Sequence, residues 1–169
     1  MKKNLSAAVF LLAASANAFA QTSAKDSLRV VNLQEVQVVS TRATSKTPVA
    51  YSNISQKEIQ KQNFGLDLPF LLTATPSVLT TSDAGSGVGY TSIRVRGTDA
   101  TRIIITANGI PMNDAESHSI FWVNTPDLAS SLEDMQIQRG AGTSTNGAGA
   151  FGASINLRTA GIPSKAYAE

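Results

Sequence analysis

The chain opens on a nearly unbroken apolar run, Leu5 to Ala14, and then turns to short mixed segments. In "LQEVQVVSTRA", Val36, Val38 and Val39 form a β-prone stretch between polar flanks. A strand that short needs a sheet or a partner's edge. Ser55 and Glu58 stand at capping-box spacing, with Ile54 and Ile59 at the two staple positions. This predicts a helix that ends near Asn63-Phe64-Gly65. Asp67, Pro69 and Pro76 would cap, start and stop a second helix over 68–74. "TTSDAGSGVGYTS" is a loop of small residues. Thr91 to Arg96 then alternates, with Ile93 and Val95 on one face and Arg94 and Arg96 on the other.

Residues 102–106 are β-branched and largely apolar, and Asn108-Gly109 is a two-residue hairpin turn signal. The returning Ile110-Pro111-Met112 is an edge strand, because proline cannot donate to a ladder. "NDAESHSIFWVN" is a second long loop holding the single Trp and single His. Thr125-Pro126 predicts a cap followed by a first-turn proline, hence a third short helix. Met135 and Ile137 alternate with Asp134, Gln136 and Gln138, and Ile155 and Leu157 alternate with Ser154, Asn156 and Arg158. Both read as strands. The order predicts one α+β domain, a small mixed β-sheet with short helices behind a mobile N-terminal segment.

Between the last two strands, Gly147, Gly149 and Gly152 have the G-x-G-x-x-G spacing of a dinucleotide-binding loop. That motif requires a helix after it and an acid about 20 residues on. "ASINLRT" has strand period instead, so the glycines are expected to permit positive φ and a close approach of the chain to a wall. Asp114, Ser117 and His118 share one loop, whereas hydrolytic triads are assembled from separate segments. With one His, no Cys and no carboxylate set at ligand spacing, neither a metal nor a cofactor is expected. No catalytic residue is assigned. Arg96-Gly97 and Arg139-Gly140 each put an arginine at a strand end. Either a solvated cation or a partner carboxylate on another element would satisfy them.

The formal charge of +2 changes meaning once the start of the chain is considered. Lys2 and Lys3, the apolar run and Ala18-Phe19-Ala20 make a secretory signal peptide over 1–20, with a mature chain from Gln21. Without those two lysines the 14 basic residues fall level with the 12 acidic ones. A nucleic-acid surface is not expected. No later apolar run approaches the roughly 18 residues of a membrane helix.

Taken together and in order, five segments resemble the plug domain of TonB-dependent outer-membrane receptors of the Bacteroidetes type. They are "EVQVVSTRA", "TPVAYSNISQKEIQKQN", "DLPFLLTATPSV", "SIRVRGTDATRIIITANGIPMND" and "LEDMQIQRGAGTSTNGAGAFGASINLRT". Asn108, Ala141 and Ala153 depart from the usual Asp, Pro and Gly without disturbing the likeness. The resemblance implies a flexible leader over 21–47, a plug over 48–159 and a linker over 160–169 into a barrel that this sequence lacks. On that reading the chain is a fragment or a truncated product, and its home is the outer membrane.

The resemblance also implies roles. Glu35, Val36, Gln37, Val38, Val39 and Ser40 would form the Ton box, a strand handed to the periplasmic domain of TonB. Arg96 and Arg139 would lock onto acidic residues of the barrel wall. Loops from Ser82 to Tyr90 and from Asn113 to Asn124 would face a small-molecule ligand, with Tyr90, His118, Phe121 and Trp122 supplying aromatic surface. The short leader has no room for the β-sandwich of glycan receptors, which favours an iron–siderophore complex over a glycan or a cobalamin. A free periplasmic binding module is the alternative.

Overall fold

The computed structural model describes residues 42–161. Seven strands and two short helices lie in chain order: β1 (Ala50–Ser55), α1 (Gln56–Gln62), α2 (Leu68–Leu71), β2 (Val78–Ser82), β3 (Thr91–Val95), β4 (Ile103–Ala107), β5 (Ile110–Pro111), β6 (Leu132–Arg139) and β7 (Ala153–Thr159). Five of them form one sheet in the order β1-β6-β7-β4-β5, and β2 and β3 pair as a separate antiparallel ribbon. In the larger sheet only β4 and β7 run parallel. This is the mixed sheet with short helices that the alternation predicted.

Register explains the core. Ile105 sits opposite Ile155, which sits opposite Ile137, so three central strands place isoleucines in one row. Leu157 and Met135 form the next row. Ile59, Leu71, Leu72, Ile93, Val95 and Trp122 close over this face, all nearly fully buried. α1 is fixed by the predicted capping box. The Ser55 amide and hydroxyl both donate to Glu58 Oε2, at 2.8 and 2.7 Å. These bonds hold the Glu58 carboxyl below its ordinary pKa, the hydroxyl contributing most.

The opposite face of the same sheet is polar, yet it too is buried. Thr106, Asn156, Gln136 and Asn53 stand in one row across four strands. Gln136, Gln138, Ser154 and Asn156 are each at most 4 % exposed. Polar positions alternating with apolar ones ordinarily face solvent. The side chains instead satisfy one another. Thr106 Oγ1 donates to Asn156 Oδ1, Asn156 Nδ2 to Ser154 Oγ, Gln138 Nε2 to Gln136 Oε1 and Asn146 Nδ2 to Gln138 Oε1, at 2.9 to 3.1 Å. Unsatisfied, such groups would each cost on the order of 1–3 kcal/mol.

Several elements differ from expectation. β1 and β2 were not foreseen, because their apolar positions are too few to show a period; Thr80 to Ser82, read as part of a loop, complete β2 by pairing with β3. α2 stops after Leu71 rather than running to Ala74. Asp67 precedes it without a side-chain cap bond; its Oδ2 accepts from Thr91 Oγ1 at 2.8 Å and ties the helix start to β3. No helix begins at Pro126. The chain turns at Asp127, in the left-handed region at φ 53°, and makes a 3-10 turn over Leu128–Ser131. The hairpin at Asn108-Gly109 formed as predicted, both residues having the positive φ that its turn needs.

Candidate functional site

Two loops, Ser82 to Tyr90 and Asn113 to Asn124, meet beside β3. Between them lies a shallow cavity of about 190 Å³ whose lining includes Asp83, Tyr90, Ser119, Phe121 and Trp122. That volume is below the roughly 300 Å³ at which sites begin to enclose a small molecule. The depression is therefore too small to enclose such a molecule by itself. Tyr90 is 68 % and Phe121 47 % exposed, so both offer aromatic surface. Trp122 does not. It is 2 % exposed and belongs to the core, because the loop turns its largest apolar side chain inward.

Other residues of the two loops hold the loops in shape. Ser82 closes β2, and its hydroxyl accepts from the Gly87 amide at 3.2 Å. Asn113 reaches back to the edge of β4. Its Oδ1 accepts from the Ile105 amide at 2.8 Å, and its Nδ2 donates to the carbonyls of Ile103 and His118 at 2.9 Å each. His118 sits in the left-handed region at φ 55° and borders a second cavity of about 290 Å³ with Thr101, Ile103, Asn113 and Gly149. Asp114 holds the tip, accepting from the amides of Ser117 and Glu116 at 2.7 and 3.0 Å.

These bonds, led by the Ser117 amide, lower the Asp114 pKa. A depressed folded-state pKa gives a contribution present above the ordinary carboxylate value and lost as pH falls through the folded one. The Glu116 and Ser117 amides should therefore stay protected at about pH 5 and lose protection only below the usual carboxylate range. NMR hydrogen exchange over that range checks it, and loss of protection above about pH 4.5 would contradict it.

At one end of the sheet the two arginines come together. Arg96 is in the left-handed region at φ 51°, and its amide donates to the Ser77 carbonyl at 2.9 Å. Its guanidinium lies over Gly140, where an added Cβ would come within 2.8 Å of Nη1. Arg139, at the end of β6, donates from Nη1 to the neighbouring carbonyl of Pro76 at 3.2 Å, and its Nε is buried with no hydrogen-bond partner. Neither arginine forms an ion pair among the described residues. Arg158, by contrast, pairs with Glu133 and Asp134, and Arg42 with Asp134.

The glycine-rich loop carries no cofactor geometry. A 3-10 turn over Ser144–Asn146 precedes Gly147, and β7 follows Gly152 directly. Of the three motif glycines only Gly147 has positive φ, at 82°. Gly152 makes the close approach that its sequence position suggested, but to Thr98 of its own chain. Residues Glu35 to Ser40 lie outside the described residues. Among the described residues no cluster of His, Cys, Asp or Glu could hold a metal, and no helix is long and apolar enough to cross a membrane.

The sequence reading missed Arg42, Gln136, Gln138, Asn146 and Asn156 as partners in one network. A signal was present. The outward positions of β6 and β7 from Gln136 to Asn156 hold Gln, Ser and Asn but no Lys or Glu, which is unusual for a solvated strand face.

A small mixed sheet, a separate two-stranded ribbon and two adjoining loops make up this α+β domain. The model of the TonB-dependent Receptor Plug Domain family matches residues 43–154, and the chain belongs to that family. No curated protein matches it at a significant level.

Solved structures share the fold. The siderophore receptor PirA from Acinetobacter baumannii aligns with a TM-score of 0.54 at 20% identity, over 77% of this chain and 19% of that one. The ferric yersiniabactin uptake receptor FyuA from Yersinia pestis aligns with a TM-score of 0.54 at 16% identity, over 75% and 20%. The ferric enterobactin receptor PfeA of Pseudomonas aeruginosa aligns with a TM-score of 0.51 at 25% identity, over 69% and 18%. The chain thus spans about a fifth of the length of these structures.

Proposed function

We propose that the chain is the gate of a TonB-dependent outer-membrane receptor that takes up a scarce nutrient, an iron–siderophore complex. The family membership of residues 43–154 carries this reading. Three features support it. Tyr90 and Phe121 are exposed on adjoining loops and would form the inner wall of a ligand site completed by the barrel. The Arg96 guanidinium lies over Gly140 and that of Arg139 reaches the Pro76 carbonyl, neither with an ion pair among the described residues, so that acids on the barrel wall would neutralise both. Leu79, Ile110 and Phe151 are also largely exposed, which suits a domain enclosed by another surface. The ligand class follows that of similar proteins, the siderophore receptor PirA, the ferric yersiniabactin uptake receptor FyuA and the ferric enterobactin receptor PfeA.

Glu35 to Ser40 would serve as the Ton box, pairing main chain to main chain with the periplasmic domain of TonB. Val38→Pro in the full receptor removes an amide from that strand. Ligand binding to whole cells should be unchanged, while uptake of the labelled iron complex should fall to the level of a strain lacking TonB. Normal uptake would remove the Ton-box assignment and leave a passive binding module.

A further inference from the structure

We infer that the segment Arg42–Thr47 is a releasable strap, latched over the polar face of the sheet by Gln136. The strap is held to the fold through its first two residues, Arg42 and Ala43. Ala43 is buried, whereas Thr44, Ser45 and Lys46 are exposed. Gln136 grips that single residue twice. Its Oε1 accepts from the Ala43 amide at 2.7 Å, and its Nε2 donates to the Ala43 carbonyl at 2.9 Å. A side chain thereby takes the place of a neighbouring strand. Arg42 adds a bond from Nη2 to the Asn156 carbonyl at 3.1 Å and an ion pair with Asp134. Beyond Ala43 the strap turns back on itself, with Thr44 and Thr47 exchanging local bonds and none to the sheet.

The chemistry of the covered face makes this hold reversible. An apolar face would bind a strap through the hydrophobic effect, and water would oppose its removal. Here the strap contributes one methyl group of buried apolar surface. The face beneath it is already satisfied internally. Asn53 Oδ1 accepts from Gln136, Gln138 bonds to Gln136 and Asn146, and Asn156 bonds to Ser154 and Thr106. Among the described residues, lifting the strap leaves the bonds to Ala43 and Arg42 to be remade, and water can remake them. The apolar core lies on the other side of the sheet and is untouched. Arg42 lies two positions after the last residue of the segment assigned above as the Ton box. If that assignment holds, a pull from the N-terminal side loads this latch before it loads β1.

Amide hydrogen exchange on the full chain tests the strap without TonB or a barrel, so its failure and that of the Ton-box reading are separate events. In the unaltered chain the Ala43 amide should be protected yet exchange faster than the central amides of β6 and β7, through local opening. Gln136→Ala should raise the Ala43 rate by about tenfold, the worth of one to two net hydrogen bonds, relative to the strand amides. Gln136→Glu keeps the size and an acceptor but loses the donor, and should raise it in the same direction if the alanine variant does not fold. An Ala43 amide that exchanges in step with the β6 and β7 amides, in the unaltered chain or in either folded variant, would overturn the latch, because the strap would then open only with the whole domain.

Discussion

Gly152→Ala is expected to destabilise the domain by about 3 kcal/mol or more, the upper range for overpacking a tight site. A Cβ at this position would lie 1.9 Å from Thr98 Oγ1 and 2.7 Å from Thr98 Cβ. Neither side can yield easily. The Gly152 amide donates to the Arg102 carbonyl and its carbonyl accepts from the Gly140 amide, both at 2.7 Å. Thr98 is held in turn, its hydroxyl donating to the Val95 carbonyl at 2.7 Å. Urea unfolding reads the loss directly. Because the clash reaches Thr98 Cβ, Thr98→Gly in the Gly152→Ala background should recover part of it, whereas Thr98→Ser should not. A loss below about 0.5 kcal/mol, the range of ordinary surface substitutions, would show that the loop moves freely and that the glycine serves some other need.

Trp122→Ala should cost about 3–5 kcal/mol, as for other large aromatic truncations in cores. The side chain is 2 % exposed and packs in the same cluster as Ile93, Val95 and Ile105. Domains are commonly stable by only about 5–15 kcal/mol, so this one change removes a large share of the margin. It should also loosen the wall formed by Phe121, since Trp122 is the buried anchor of that loop. Phe121→Ala, with its ring half in water, should cost under about 1 kcal/mol. Similar losses for the two variants would contradict the assignment of one ring to the core and the other to the surface.

Particular residues show how far the sequence carried. The Ser55–Glu58 capping box, the Asn108-Gly109 turn and the period-2 strands at Ile137 and Ile155 are local signals, and each formed where the pattern put it. β1 was invisible because "AYSNIS" is an edge strand whose polar positions face the same polar row as Gln136. Trp122 illustrates a different limit. A tryptophan in a long polar loop reads as surface, and only the tertiary fold turns it inward. The buried face of Gln136 and Asn156 failed for the same reason, since what covers it comes from Arg42 and Ala43, more than ninety positions earlier for Gln136.

Of the site, the motif order revealed the family and the two arginines before their proximity was known. Their shared anchorage on Pro76 and Ser77 was not legible, because it depends on the β2–β3 ribbon. The glycine motif that first resembled a cofactor cradle was resolved by local grammar alone. The strand that follows Gly152 excludes the helix that a pyrophosphate would need.

The gating claim is tested most directly by electrical conductance of the full receptor in a planar lipid bilayer. With the domain intact the receptor should be closed to ions. With residues 48–159 deleted it should conduct steadily as an open pore. Equal conductance with and without the domain would contradict the account, because a segment that does not occlude the pore is not its gate.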